Sequence, residues 1–217
     1  MKKAVIFDLG NVLVTENNTL SLPRFKPHLK KEYTNAELER ILYGHAPGAK
    51  RWEKLGEETK LFEEYHLGIL TSEEFYRRIK EQLEFSDLFT FEQFKKFWPA
   101  RFGRNDDVIR MLPHLKRHQR YMLSDTNAMD SSWLMAAYPD IFLQFDKNFF
   151  SFETKTDKYG VEAWHNIITY SKLPPEAHVF IDDHEGHVER AKKLGFKGIV
   201  FTDAKKLWED LEKLGYL

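Results

Sequence analysis

Three short apolar runs each end on groups able to do chemistry. "AVIF" ends at Asp8, "RYML" at Ser124 followed by Asp125, and "HVFI" at Asp182 and Asp183. If these runs are strands of one open parallel sheet, their carboxyl ends share an edge, and ligands bind outside that edge. Asp8, Ser124, Asp182 and Asp183 then converge on one spot although far apart in the chain. Lys158, in "TDKYG" just before a helical stretch, is the natural cation for that spot, ahead of Lys155. Three carboxylates do not crowd together ionised without a cation between them. An all-oxygen ligand set selects a hard ion, and Mg²⁺ fits best. A carboxylate beside such an ion can attack phosphorus and form an aspartyl-phosphate. Phosphoryl transfer then needs charge neutralisation above all, from Mg²⁺, the Lys158 ammonium, the Ser124 hydroxyl and loop amides.

The elements that must position these groups follow from the hydrophobic pattern. "KAVIF" (3–7), "RYML" (120–123), "HVFI" (178–181) and "GIVF" (198–201) are too short for helices and read as buried strands, with a further strand around Phe145 to Phe150. Helical stretches separate them at Asp106 to His118, Ala128 to Tyr138, Gly160 to Ser171, Gly186 to Leu194 and Ala204 to Leu214. This alternation predicts an α/β fold, a Rossmann-like parallel sheet flanked by helices. From Thr15 to about Gly103 the pattern is helical with no strand, and Thr71–Glu74 and Thr90–Gln93 read as capping boxes. That block reads as an inserted helical subdomain, residues 15–103, over a core of residues 1–14 and 104–217. Its aromatic residues Phe62, Phe75, Tyr76, Phe91, Phe94, Phe97 and Trp98 fall at helical spacing and read as its core.

Bulk composition narrows the function. The chain has 217 residues, 42% of them hydrophobic and 31% charged, enough for a real core. Its net charge of −1 advertises neither nucleic acid nor an anionic membrane surface. There is no cysteine, which removes disulfides, thiolate metal sites and cysteine nucleophiles. Asp8 interrupts the first apolar run too soon for a signal peptide, and no stretch reaches the roughly 20 apolar residues of a membrane span. The expectation is a cytoplasmic protein, a monomer or homodimer, acting on a small molecule. Asp182-Asp183 with His184 and His187 matches no usual zinc spacing.

The motif set resembles the haloacid dehalogenase-like superfamily of hydrolases, and the resemblance covers essentially the whole chain. "VIFDLGNVLV" is similar to its first motif, "YMLSDTN" to its second, "TDKYG" to its third and "VFIDDHEGHVERAKKLGF" to its fourth. "FDLGNVLV" in particular resembles a branch that includes glucose-1-phosphate phosphatases. The resemblance implies a phosphatase with an α-helical cap, hydrolysing a small phosphorylated metabolite such as a sugar phosphate. It makes Asp8 the nucleophile and a metal ligand, with Ser124 holding the phosphoryl group and Lys158 balancing its charge. Asp182 and Asp183 hold Mg²⁺ directly or through water, and Gly10 offers it a backbone carbonyl.

Several positions depart from the superfamily pattern. Gly10 stands where most of its phosphatases carry a second aspartate, which protonates the leaving group and then activates water. General acid–base help is worth roughly 10²–10⁴-fold, so this chain lacks an assigned proton carrier, for which the cap residues His66 and His45 are candidates. Asp125 replaces a common Asn beside the phosphate, His187 another, and Tyr159 follows Lys158 where Pro is usual. Two alternatives remain open. A 2-haloacid dehalogenase attacks carbon and tolerates Gly10, although the acidic pair argues against it. A protein that binds a phosphorylated ligand with little turnover is the other.

Overall fold

The apolar runs build one sheet. In the computed structural model, which describes residues 2–44 and 57–217, the strands are β1 (Ala4–Phe7), β2 (Val14–Glu16), β3 (Phe102–Arg104), β4 (Gln119–Ser124), β5 (Lys147–Phe150), β6 (His178–Asp182) and β7 (Lys197–Val200). Five of them form an all-parallel sheet in the order β5-β4-β1-β6-β7. β1 is fully buried on both faces, as a central parallel strand must be. The chain turns from β1 to β4 on one side and later to β6 on the other, so the crevice at the strand carboxyl ends opens beside β1. Phe7 pairs with both Met122 and Ile181, which sets Asp8 level with Leu123 and Asp182.

Helices cover both faces. The described helices are α1 (Leu22–Phe25), α2 (Asn35–Tyr43), α3 (Glu57–His66), α4 (Ser72–Gln82), α5 (Phe91–Phe97), α6 (Asp106–Ile109), α7 (Ala128–Ala137), α8 (Pro139–Phe142), α9 (Ser151–Thr154), α10 (Glu162–Ser171), α11 (Glu185–Lys193) and α12 (Ala204–Lys213). Alternation along the strands divides the core. Val5, Phe7, Met122, Val179 and Ile181 pack on one face against Leu112, Leu207 and Leu211. Ile6, Tyr121, Leu123 and Phe180 pack on the other against Trp164, Ile167 and Val188.

A third cluster lies in the helical segment between β2 and β3, where Phe25, Phe75, Phe89, Phe94 and Trp98 are fully buried. Phe62 and Tyr76 are nearly so, while Phe91 and Phe97 pack partly buried against it. Thr71 and Glu74 cap α4 reciprocally, Thr71 N–H donating to Glu74 Oε2 at 2.8 Å, and Thr90 with Gln93 does the same for α5. Thr34 and Glu37 add a third such box at α2.

Two sequence expectations are corrected. The interval from Thr15 to Gly103 is not free of strand, since β2 and β3 pair antiparallel at its two ends, Thr15 opposite Gly103 and Glu16 opposite Phe102. They are too short to show an alternation. The helix expected over Asp106 to His118 breaks after Ile109 into a tight turn over Leu112–Leu115, because Pro113 has no N–H for an i→i−4 bond.

The segment is seated on the core through polar contacts. Tyr65 Oη accepts from Met129 N at 3.1 Å, and Ser151 Oγ donates to the His66 carbonyl at 2.7 Å. Lys155 Nζ donates to the Gly68 carbonyl. Gly68 has φ +60°, and a Cβ there would lie 2.2 Å from the Phe152 carbonyl oxygen, so this contact requires glycine. No described helix is long and apolar enough to cross a membrane.

Candidate active site

Asp8 follows β1 directly, its N–H donating to the Ile181 carbonyl at 2.9 Å. The side chain is 6% exposed, and Oδ1 accepts from Leu9 N at 2.7 Å. Asp182 closes β6 and is fully buried. Its Oδ1 accepts from His184 N at 2.7 Å and its Oδ2 from His187 Nδ1 at 3.1 Å. Asp183 is exposed, and its Oδ2 accepts from Asn11 Nδ2 at 3.3 Å. Asp8, Asp182 and Asp183 each offer an oxygen within 4.8 Å of the others, an all-oxygen set suited to a hard cation.

Lys158 threads into this cluster from the loop before α10. It is 1% exposed, and Nζ lies 2.7 Å from both Asp8 Oδ1 and Asp182 Oδ2. Its backbone is fixed at both ends: N–H donates to the Asp125 carboxylate at 3.3 Å, and the carbonyl accepts from Trp164 Nε1 at 3.0 Å. Asp157 Oδ1 tightens the same loop, accepting from Tyr159 N and Gly160 N. Lys155 turns the other way, to Gly68, so of the two lysines Lys158 is the one in the cluster.

Charge is unevenly shared. Burial is the largest influence on Asp8 and pushes its carboxyl well above the usual range; Asp182 and Asp183 push the same way against the pull of Lys158. Burial opposes ionisation of Asp182 too, but Lys158 and His187 outweigh it and hold that carboxyl below its usual range. Burial alone would lower Lys158, yet the two carboxylates raise it. His187 is pulled down to about 4, chiefly by burial. At neutral pH the imidazole therefore donates from Nδ1 as a neutral group.

Ser124 ends β4, 3% exposed, and Asp125 is equally sheltered. Both line a small cavity with Gly10 and Glu16. A larger cavity of about 280 Å³ lies between the helical segment and the core, lined by Glu63, His66, Asp125, Ser151, Asp157 and Tyr159. His66 thus reaches the site region, with its Nε2 3.1 Å from Asn127 Nδ2 and its ring against Phe62. His45 lies outside the described residues.

Sequence reasoning missed four residues here. Asn11, at φ +54°, joins Asp183 to β2 by accepting from Glu16 N at 3.1 Å. Asn127 caps α7, accepting from Met129 N and Asp130 N. Arg101 and Asp130 form a buried pair. The signal for Asn11 was an Asn after Gly in a strand-end turn, where a left-handed backbone is common; the buried pair left none.

No protein-family model matches the chain. A curated relative, the D-ribitol-5-phosphate phosphatase of Bacteroides thetaiotaomicron, is 26% identical over 208 residues, spanning 91% of this chain and 90% of its own. A haloacid dehalogenase (HAD) family enzyme of the same organism, solved in complex with magnesium and inorganic phosphate, superposes with a TM-score of 0.75 at 20% identity, over 94% of this chain and 96% of that one. A predicted HAD-like family hydrolase from Porphyromonas gingivalis gives 0.75 at 22% identity, covering 99% and 98%. The L-2-haloacid dehalogenase of Xanthobacter autotrophicus gives 0.56 at 16% identity, covering 100% and 85%. The chain thus has the fold of these haloacid dehalogenase-like proteins.

Proposed function

We propose that this protein is a Mg²⁺-dependent phosphatase acting on a small phosphorylated metabolite, a sugar or polyol phosphate, through an aspartyl-phosphate on Asp8. The observation that carries the reading is the cluster itself: a buried carboxylate at the end of the central strand, beside two more carboxylates and one buried ammonium. Two carboxylates against a single lysine, with a third at the rim, leave negative charge that a hard dication relieves. Asp8, Asp182, Asp183 and the Gly10 carbonyl are the ligands we assign, and the bound ion supplies charge neutralisation for the phosphoryl oxygens.

In this reading Asp8 attacks phosphorus while Lys158 and the Ser124 hydroxyl hold the transferred oxygens. Trp164 and Asp125 keep Lys158 in place. His187 and the His184 amide keep Asp182 turned toward the lysine. Residues 15–103 act as a cap. The cavity beneath α3 is at the small end of ligand sites. Its Glu63, His66, Asp157 and Tyr159 side chains suit the hydroxyls of a polyol chain, in keeping with the activity named for the ribitol-phosphate relative.

Phosphate release from ribitol 5-phosphate, a panel of sugar phosphates and p-nitrophenyl phosphate, with Mg²⁺ and with EDTA, tests the reading. Release that needs the metal and vanishes in Asp8→Asn is the expected result. Turnover indifferent to EDTA, or halide release from a 2-haloacid, would replace it with the dehalogenase alternative.

A further inference from the structure

Gly10 leaves the reaction without its expected proton carrier, and the structure places another carboxylate beside it. A Cβ built on Gly10 meets one described heavy atom within 4 Å, Glu16 Oε2 at 3.5 Å. Gly10 bridges Val14, folding the chain back so that β2 runs past the loop that follows Asp8. We propose that Glu16 is the general base that activates the hydrolytic water. The proposal rests on the phosphatase reading and adds to it the residue that completes the second half-reaction.

Three observations carry it. The first is position, since Oε2 lies 3.5 Å from the point where a side chain on Gly10 would begin. The second is fixation. Glu16 Oε1 faces Arg101 Nε at 3.1 Å, and Arg101 is itself buried, donating to the Trp98 carbonyl at 2.8 Å and to Asp130. The main chain of Glu16 is held by Asn11, the same residue that holds Asp183. The contact with a buried guanidinium sets the direction of the Glu16 carboxylate. The third is space. Glu16, Gly10, Ser124 and Asp125 line a cavity of about 20 Å³, room for one water, which needs roughly 10–15 Å³ and two or more polar partners.

The pairing also decides which role Glu16 takes. Beside a guanidinium it enters as a carboxylate, the form that accepts a proton. In the step, the water O–H breaks and its proton moves to Glu16 Oε2. The water oxygen forms the new bond to phosphorus, the P–O bond to Asp8 breaks, and its electron pair returns to the Asp8 carboxylate. The proton leaves Glu16 with the departing phosphate. The first half-reaction, attack by Asp8, does not use Glu16.

That division gives the test. With p-nitrophenyl phosphate, whose leaving group needs no proton, Glu16→Gln should release p-nitrophenolate in a rapid burst of about one equivalent. It should then turn over roughly 10²–10⁴-fold more slowly than wild type, with phosphate trapped on Asp8 by mass spectrometry. Glu16→Asp, shorter by one methylene but still charged, should show the same split. A Gly10→Asp change in the Glu16→Gln background should restore steady turnover, because a Cβ there finds only ordinary contact. Steady-state turnover of Glu16→Gln within threefold of wild type overturns the proposal. So does an equal slowing of burst and steady state without rescue, the mark of a structural role. If wild type turns over and Asp8 is labelled, those failures fall on Glu16 alone; if wild type never labels Asp8, the phosphatase reading falls with it.

Discussion

Trp98 donates its indole N–H to Asp130 Oδ1 at 2.7 Å, joining the end of the helical segment to the first turn of α7. Asp130 also receives Arg101 and Asn127, and it is 3% exposed. Asp130→Ala therefore leaves a buried indole N–H without its acceptor and takes from Arg101 one of its two carboxylates, Glu16 remaining. Removing one partner of such a pair costs about 3–5 kcal/mol. The measurement is urea unfolding, where Asp130→Ala should lose stability of that order and Asp130→Asn less.

Lys158 forms an ion pair with both Asp8 and Asp182. Lys158→Met should lower kcat by at least about 10²-fold, the usual cost of removing a preorganised charge from a transferring group. Lys158→Arg should not restore it, because a planar fork does not occupy the site of a compact ammonium held at 2.7 Å on two sides. Steady-state kinetics on both variants, with their melting temperatures as control, decide this.

The carboxylate cluster should respond to metal without any substrate. Mg²⁺ at about 100 times its dissociation constant should stabilise the fold by about 2.7 kcal/mol. The thermal shift should shrink in Asp183→Asn and disappear in Asp182→Asn. A shift equal in all three proteins would place the ion elsewhere.

His66 is a wall of the larger cavity, with its Nε2 engaged by Asn127. His66→Ala should raise KM for a polyol phosphate while leaving kcat for p-nitrophenyl phosphate within about threefold, since uniform binding is lost rather than a step in the chemistry. A collapse of kcat on both substrates would return His66 to the role of proton donor.

His178, at the start of β6, is fully buried, and burial lowers its pKa below the usual value, against a smaller upward pull from the Pro174 carbonyl. The unfolded chain takes up the proton near about pH 6.5, before the folded one does. Stability from the neutral ring is therefore complete above about pH 6.5 and is lost as pH falls toward the folded value. Urea midpoints from about pH 8 to about pH 5 should fall less steeply in His178→Gln than in wild type.

Much of this was legible in the chain because apolar periodicity is local. The runs at 3–7, 120–123, 178–181 and 198–201 became β1, β4, β6 and β7 within a residue or so. Thr71–Glu74 and Thr90–Gln93 announced α4 and α5 through a chemistry confined to four residues. Strand-end aspartates could be gathered on one edge because parallel register aligns carboxyl termini. What escaped was non-local. β2 and β3 are three residues each and exist only as each other's partners. Glu16 reads as an ordinary charge until the turn at Gly10 brings it back beside the loop that follows Asp8. Arg101 and Asp130 are 29 residues apart, and nothing in either neighbourhood marks them as buried.

The paired ribbon of β2 and β3 gives the molecule a particular evolutionary freedom. It closes the chain on both sides of the helical segment, Asn17 N–H bonding to the Arg101 carbonyl at 2.9 Å. With the ends already tied, lengthening or shortening what lies between adds closure entropy only logarithmically, roughly 0.6 kcal/mol per doubling. The segment can therefore be lengthened, shortened or exchanged at little cost to the sheet that its two ends are tied to.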